Sequence, residues 1–230
     1  MKITYGYLLF VSLLAVPASG ASYIMNGSFE STTLSNSGFF TTSDVADWST
    51  NSYTFLVFPG TAQTGIGNGV KLYAGAAPDI MPSTSPDGGN FVAADGAYEV
   101  GKISQTMNGL TPGQQYDVTF YQAGAQQQGY NGATTDRFEV FFGSDSQFSA
   151  LMTNPSHDFQ PWEQQTLTFT ANATSEVLSF LAVGTPSGVP PFTLLDGVTV
   201  SSAAPEPGYL LLVGIGLVAA GVVRRRKQQS

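Results

Sequence analysis

There is no cysteine anywhere in the 230 residues. That removes disulfides, thiol nucleophiles and cysteine-based metal sites together, so the fold must be held by its apolar core, with or without a bound ion. Histidine is almost as scarce. His157 stands alone, which excludes a histidine cluster for zinc or iron. It sits in the polar run Asn154-Pro155-Ser156-His157-Asp158, where a single imidazole is ordinarily solvated rather than part of a Ser-His-Asp triad. No glycine-rich phosphate loop is present. Basic residues are few, eight against sixteen acids, and five of the eight crowd the two ends of the chain as Lys2, Arg224, Arg225, Arg226 and Lys227. Between residues 22 and 204 only Lys71, Lys102 and Arg137 face fifteen acids, a balance of −12. Such a surface repels nucleic acid and anionic lipid and suits neutral ligands or divalent cations. Charged residues of either sign make up only 10% of the chain, and glycine, serine, threonine, asparagine and glutamine take their place. This is the composition of an extracellular β-protein with long polar loops.

The two ends read as targeting segments. Lys2 supplies a positive start, residues 7–16 form an apolar stretch too short to span a bilayer, and Ala18-Ser19-Gly20-Ala21 supplies small residues for cleavage. Residues 1–21 are therefore expected to be a signal peptide. At the other end Pro205-Glu206-Pro207 and Gly208 precede an apolar run over 209–223, followed at once by Arg224, Arg225, Arg226 and Lys227. As a helix that run is roughly 22 Å long at ~1.5 Å per residue, short against a hydrocarbon core of about 30 Å. The basic cluster should stay cytoplasmic and place everything before it outside. A plain C-terminal anchor is one reading. The order Pro-Glu-Pro, short apolar helix, basic tail also resembles the PEP-CTERM sorting signals of Gram-negative bacteria. That resemblance implies an exosortase-type partner acting near Pro205, Glu206 and Pro207. It further implies transient anchoring in the inner membrane and delivery to the cell surface or extracellular matrix.

Residues 22–204 are long enough for one domain with its own core. The middle of it alternates. Tyr116, Val118 and Phe120 share one face, as do Phe138, Val140 and Phe142. Leu167 and Phe169, then Leu178, Phe180 and Ala182, then Val198 and Val200, repeat the pattern. Period two marks strands with one buried face, and glycine and proline punctuate between them, as in the turn over residues 108–113. No helical periodicity precedes Pro205. Ten or more short strands joined by turn-rich loops argue an all-β sandwich.

Three pieces in order carry a second resemblance. Ile24-Met25-Asn26-Gly27-Ser28-Phe29-Glu30 stands near the mature start. Residues 87–96, 103–106 and 109–116 fill the middle. Trp162, residues 166–171 and Leu195-Asp196-Gly197-Val198-Thr199-Val200 close the domain. This order resembles the galactose-binding-like jelly-roll sandwiches, which include many carbohydrate-binding modules. The resemblance implies a jelly roll, and a structural calcium held between the first and last strands by the side chains of Glu30 and Asp196. Hard carboxylate oxygens supplemented by backbone carbonyls suit that ion. It also implies that Trp48 and Trp162 are core residues rather than sugar platforms. Gly197 departs from the pattern, since many such domains carry a second acidic or amide residue there.

Sugar binding needs flat aromatic faces and groups that pair with hydroxyls. The glutamine-rich stretch over residues 124–132 has that mixture. Gln126, Gln128, Tyr130 and Arg137 are the candidate ligand-binding residues, and a merely soluble hairpin is the alternative. A glycosidase would need two carboxylates about 5–10 Å apart. Glu99, Glu139 and Glu163 could be arranged in many ways, and fifteen acids produce such pairs by chance. The sequence thus reads as an exported, surface-sorted, non-catalytic sandwich that binds carbohydrate or exopolysaccharide and no nucleic acid. A purely structural matrix protein is the main rival, and a polysaccharide-cleaving enzyme the remote one.

Overall fold

The computed structural model describes residues 23–59, 65–66, 69–74 and 84–203. The expected signal peptide, the Pro205-Glu206-Pro207 segment and the apolar run over 209–223 lie outside the described residues. Among those described there are eleven strands and no helix, and none therefore that is long and apolar enough to cross a membrane. The strands are β1 (Gly38–Phe39), β2 (Thr54–Val57), β3 (Phe91–Asp95), β4 (Lys102–Asn108), β5 (Gln115–Gln126), β6 (Thr134–Phe142), β7 (Asp145–Phe148), β8 (Met152–Asn154), β9 (Phe159–Thr170), β10 (Ser175–Thr185) and β11 (Pro191–Ser202).

They form two antiparallel sheets, a jelly-roll sandwich. One runs β1-β2-β3-β11-β5-β9, the other β4-β10-β6-β7 with β8 paired to β6. The alternation predicts the inner faces correctly. Tyr116, Val118, Phe120, Phe138, Val140, Phe142, Leu178, Phe180, Ala182, Val198 and Val200 are all buried in one cluster between the sheets. Phe180 is the hub of this layer. Its ring lies 5.0 Å from Phe120, 5.7 Å from Phe138 and 6.3 Å from Trp48, edge-on or tilted in each case, the geometry that ring quadrupoles favour. Trp48 is core, as expected, and its indole N–H donates to the Asn26 carbonyl at 2.9 Å. Trp162 is half-buried, edge-on to Phe91 at 5.4 Å.

A second apolar cluster covers the opposite face of the six-stranded sheet. Phe55, Val57, Phe91, Ala93, Ala123, Ala125, Phe192 and Leu194 point that way, and Ile66, Val70 and Leu72 are laid over them. This explains where the period-two pattern of β5 stops. Its burial alternates up to Gln122 and then becomes continuous through Gln126, because both faces are covered there.

The start of the domain differs from expectation. Residues 23–30 do not pair as a strand with the end of the chain. Asn26 and Phe29 have positive φ values of 50° and 56°, which break an extended run. The Phe29 N–H donates back to the Asn26 carbonyl at 3.1 Å, and contact with β11 is made by Val198 N–H donating to the Gly27 carbonyl at 2.9 Å.

Removing the hub should be costly and removing an exposed apolar side chain should not. Phe180→Ala is expected to lower unfolding stability by about 3–5 kcal/mol, whereas Leu151→Ala, more than half exposed, should stay within about 0.5 kcal/mol. Urea unfolding of both variants checks this, and equal effects would remove Phe180 from the centre of the core.

Candidate binding cleft

The four candidates from the glutamine-rich stretch separate in space. Gln126 is fully buried. Its side-chain amide donates to the Gly132 carbonyl at 3.0 Å and its oxygen accepts the His157 N–H at 2.7 Å. Gln128 donates from its side chain to the Leu72 carbonyl at 2.9 Å, and from its backbone to the Lys71 carbonyl at 2.8 Å. Both glutamines are fasteners for loops rather than groups held out to a ligand. Arg137 lies on β6 in the other sheet, its guanidinium 3.8 Å above the Phe148 ring. Tyr130 alone is exposed, at 40%. His157 is not simply solvated. Its ring stacks on Tyr73 at 4.6 Å and its Nε2 lies 2.8 Å from the Asn131 side-chain oxygen.

Tyr130 is one wall of a cleft of about 350 Å³, with Tyr53, Asp95, Tyr98, Gln127 and Ser187 among the other lining residues. Three loops meet there. The turn after β3 is tied to the two strand ends that flank the β10–β11 connection, by Gly96 N–H to the Pro191 carbonyl at 2.8 Å and by Gly184 N–H to the Gly96 carbonyl at 2.9 Å. The loop after β5 joins them through Gln127 N–H to the Pro190 carbonyl at 3.1 Å. A side chain on Gly96 would collide with the Gly184 backbone, so only glycine permits this junction. Asp95 is the last residue of β3 and only 2% exposed. One of its carboxylate oxygens accepts the N–H groups of Ala97 at 2.8 Å and Tyr98 at 3.0 Å. That side-chain turn lifts Tyr98 into solvent, where it is 55% exposed, edge-on to Tyr53 at 5.3 Å. Burial pushes the Asp95 carboxyl up from its ordinary value while those two N–H groups pull it back. Burial likewise raises the Tyr53 phenol, with the negative charge of Asp95 adding to it.

Tyr53, Asp95, Tyr98 and Gln127 were not singled out as ligand-binding residues by the sequence. An aromatic two residues beyond a strand-ending Asp-Gly was the available signal. Tyr53 carries no local signal at all, because β-pairing brings it to the loop, with its N–H donating to the Glu99 carbonyl at 3.0 Å.

A second group of acids gathers where the N-terminal turn meets β11. Asp196 is fully buried, accepting hydrogen bonds from the Ser85 hydroxyl and the Gly197 N–H. Glu30 is exposed and accepts the Asn90 N–H. Burial raises the Asp196 carboxyl to about 7, and the charges of Asp87 and Glu30 add to the rise against the pull of Ser85 and Gly197. The expected pair is therefore in electrostatic reach. Among the described residues, however, no three Asp, Glu or His side chains converge as a ready-made metal cluster. Gly197 has a structural reason. It sits at a β-bulge between Asp196 and Thr199 with φ at 59°, and a side chain there would press on Tyr121 and Asp87.

Comparison with known proteins agrees with one end of this picture. The PEP-CTERM protein-sorting motif matches residues 203–227. The chain carries this sorting motif, which marks it for export and membrane-anchored sorting before processing. Halomucin of Haloquadratum walsbyi is 29% identical over 211 residues, covering 92% of this chain but 2% of that protein's length. Among solved structures, the carbohydrate-binding module TmCBM61 in complex with β-1,4-galactotriose aligns with 80% of this chain and 99% of its own, at 12% identity and a TM-score of 0.43. The CBM22-1 xylan-binding domain of Paenibacillus barcinonensis Xyn10C aligns with 81% and 97%, at 13% identity and a TM-score of 0.41.

The raised carboxyls set a pH dependence. Asp136, buried on β6, is also held well above the ordinary range by its burial. In the unfolded chain such groups ionise near ~4; in the fold Asp196 keeps its proton to about 7. The folded state therefore binds more protons between those values. The stability these groups contribute is complete below the unfolded value and is lost as pH rises through the folded one. In chelator, the melting midpoint is expected to fall as pH rises from about 5 to 8, and Asp136→Asn should flatten that slope. A midpoint that instead climbs over this range would contradict the assignment.

Proposed function

We propose that this protein is an exported, surface-sorted β-sandwich that binds carbohydrate of the cell surface or extracellular matrix, without catalysis, through the cleft of Tyr53, Tyr98 and Tyr130. The observation that carries the reading is the convergence of these three tyrosines, two of them well exposed, around a carboxylate and an amide. Tyrosine faces pack on the C–H surface of a sugar ring, while Asp95 and Gln127 meet its hydroxyls in acceptor and donor senses. The sorting motif supports the location, and an exosortase-type enzyme is the processing partner it calls for. The reading takes residues 1–21 as signal peptide, 22–204 as the binding domain and 205–230 as the sorting tail with its membrane helix.

Purified protein on a glycan array is expected to give reproducible binding. Tyr98→Ala and Tyr130→Ala should each weaken it about fivefold or more, since an aromatic contact contributes roughly 1 kcal/mol, with little change in melting midpoint. Arg137→Ala should leave binding alone, and Gln128→Ala should lower stability instead. Full binding by both tyrosine variants would overturn the cleft, and no binding to any glycan would favour a purely structural matrix protein.

The same reading includes a structural calcium shared by Glu30 and Asp196. Backbone carbonyls would have to complete its oxygen set, and Asp196 would have to lose its proton. Calcium is thus expected to stabilise the fold at pH 8 by about 2.7 kcal/mol at a hundredfold excess over Kd, raising the melting midpoint, and to do much less at pH 5. Calcium and chelator melts that coincide at pH 8, or an Asp196→Ala variant that responds fully, would remove the ion.

A further inference from the structure

The charges around the cleft narrow its ligand, on the footing that it binds carbohydrate at all. Lys71, Lys102 and Arg137 are the basic residues within 22–204, and none lines the cleft. Lys102 and Arg137 are on the other sheet, the first with its ammonium 3.4 Å above Phe141 and the second over Phe148. The cleft instead holds Asp95 at its base, with Glu99 just beyond on the same turn. Lys71 is outside the lining, its carbonyl accepting the Gln128 N–H at 2.8 Å, so the charge an acidic sugar would meet among the lining residues is the like charge of Asp95. A neutral sugar would leave the nearly buried Asp95 without a countercharge, and an unpaired buried carboxylate is costly.

The tyrosines point the same way. Tyr53 and Tyr98 stand edge to face at 5.3 Å with an interplanar angle of 83°, and Tyr130 lines the same space. Three tyrosine rings and a carboxylate lining one cleft are the groups that attract an ammonium, by cation–π attraction added to the ion pair. The volume of about 350 Å³ exceeds what a bare ammonium fills and leaves room for the sugar ring that bears it. We infer that the cleft recognises an amino sugar with a free, protonated amine, Asp95 serving as its counter-ion and Tyr53, Tyr98 and Tyr130 as its walls.

Three probes of equal length test this by calorimetry on the purified protein: a β-1,4-glucosamine oligomer, its fully N-acetylated neutral counterpart, and an oligo-uronate. The free-amine oligomer is expected to bind at least tenfold tighter than the acetylated one, and the uronate not at all. Asp95→Asn should bring the ratio of the first two close to one. Tyr130→Leu, which keeps the carboxylate and disturbs only an exposed ring, should narrow the ratio as well, so the test survives if Asp95→Asn fails to fold. Lys102→Ala should leave the ratio unchanged. Equal or tighter binding of the acetylated oligomer overturns the amine assignment while the carbohydrate reading stands. Binding of no oligomer overturns the amine assignment, and the carbohydrate reading falls with it only if the glycan array is blank as well. Tetramethylammonium, run alongside, separates sugar from bare cation: tighter binding of that ion than of the glucosamine oligomer would also overturn the assignment.

Discussion

The six-stranded sheet buries both of its faces across β2, β3 and the adjoining halves of β11 and β5, and the position of the cleft follows from that. A sandwich needs one covered face per sheet, and here the layer around Phe180 supplies it. The other face of β2, β3, β11 and β5 is also apolar, with Phe55, Phe91, Phe192 and Leu194 pointing outward. Left open it would be a large greasy surface on an exported protein. Ile66, Val70 and Leu72 close it, and Leu72 is pinned in place by the Gln128 side chain and by a bridge to Gln127. A broad sheet face is therefore not available to an extended glycan at this place. Among the described residues, the edge where this covering ends is open, and that is where Tyr53, Asp95 and the loop after β5 meet.

This two-sided burial also decides what could be read in the sequence. Wherever one face of a strand is wet, as from Tyr116 to Phe120 or from Phe138 to Phe142, alternation gives both the strand and its inward side. Beyond Gln122 the signal is lost, since Ala123, Gly124, Ala125 and Gln126 are all buried. Small residues there allow close packing of both layers, but they also resemble a loop. Gln126 and Gln128 look like solvent-facing amides for the same reason. Their partners are backbone groups of Gly132, His157 and Leu72, which no local pattern announces. Tyr130 was legible because an aromatic amid glutamine and glycine has no core to enter. Tyr53, Tyr98 and Asp95 were not, because the pairing of β2 with β3 is what puts them together.

The acids follow a related logic. A chain with a balance of −12 over its folded part has little basic charge to pair with its carboxylates. Three of those that the fold buries are met by hydroxyls and N–H groups instead: Asp196 by Ser85 and Gly197, Asp95 by Ala97 and Tyr98, Asp136 by Thr134. Neutral donors offset only part of the desolvation, and all three carboxyls remain raised. Each is thus a place where an external cation would be welcome. Asp136 lies sealed between the sheets, Asp196 lies beside the exposed Glu30, and Asp95 faces a cleft. Access separates them: the first is closed to any ligand, and only the second and third are open to the ion and the sugar proposed above.

The last strand joins the two functional ends of the molecule. β11 begins at Pro191, next to Pro190 in the cleft wall, and runs to Ser202, one residue before the sorting motif starts at 203. Twelve residues of strand at ~3.3 Å each span roughly 40 Å. The motif and the cleft are therefore at opposite ends of a single strand, itself hydrogen-bonded to β5 along its length and to β3 over Phe192–Leu195, nearest the cleft. Central strands are the stiffest parts of a sheet. A chain held by its C-terminal motif would be held from the end of β11 that is farther from the cleft.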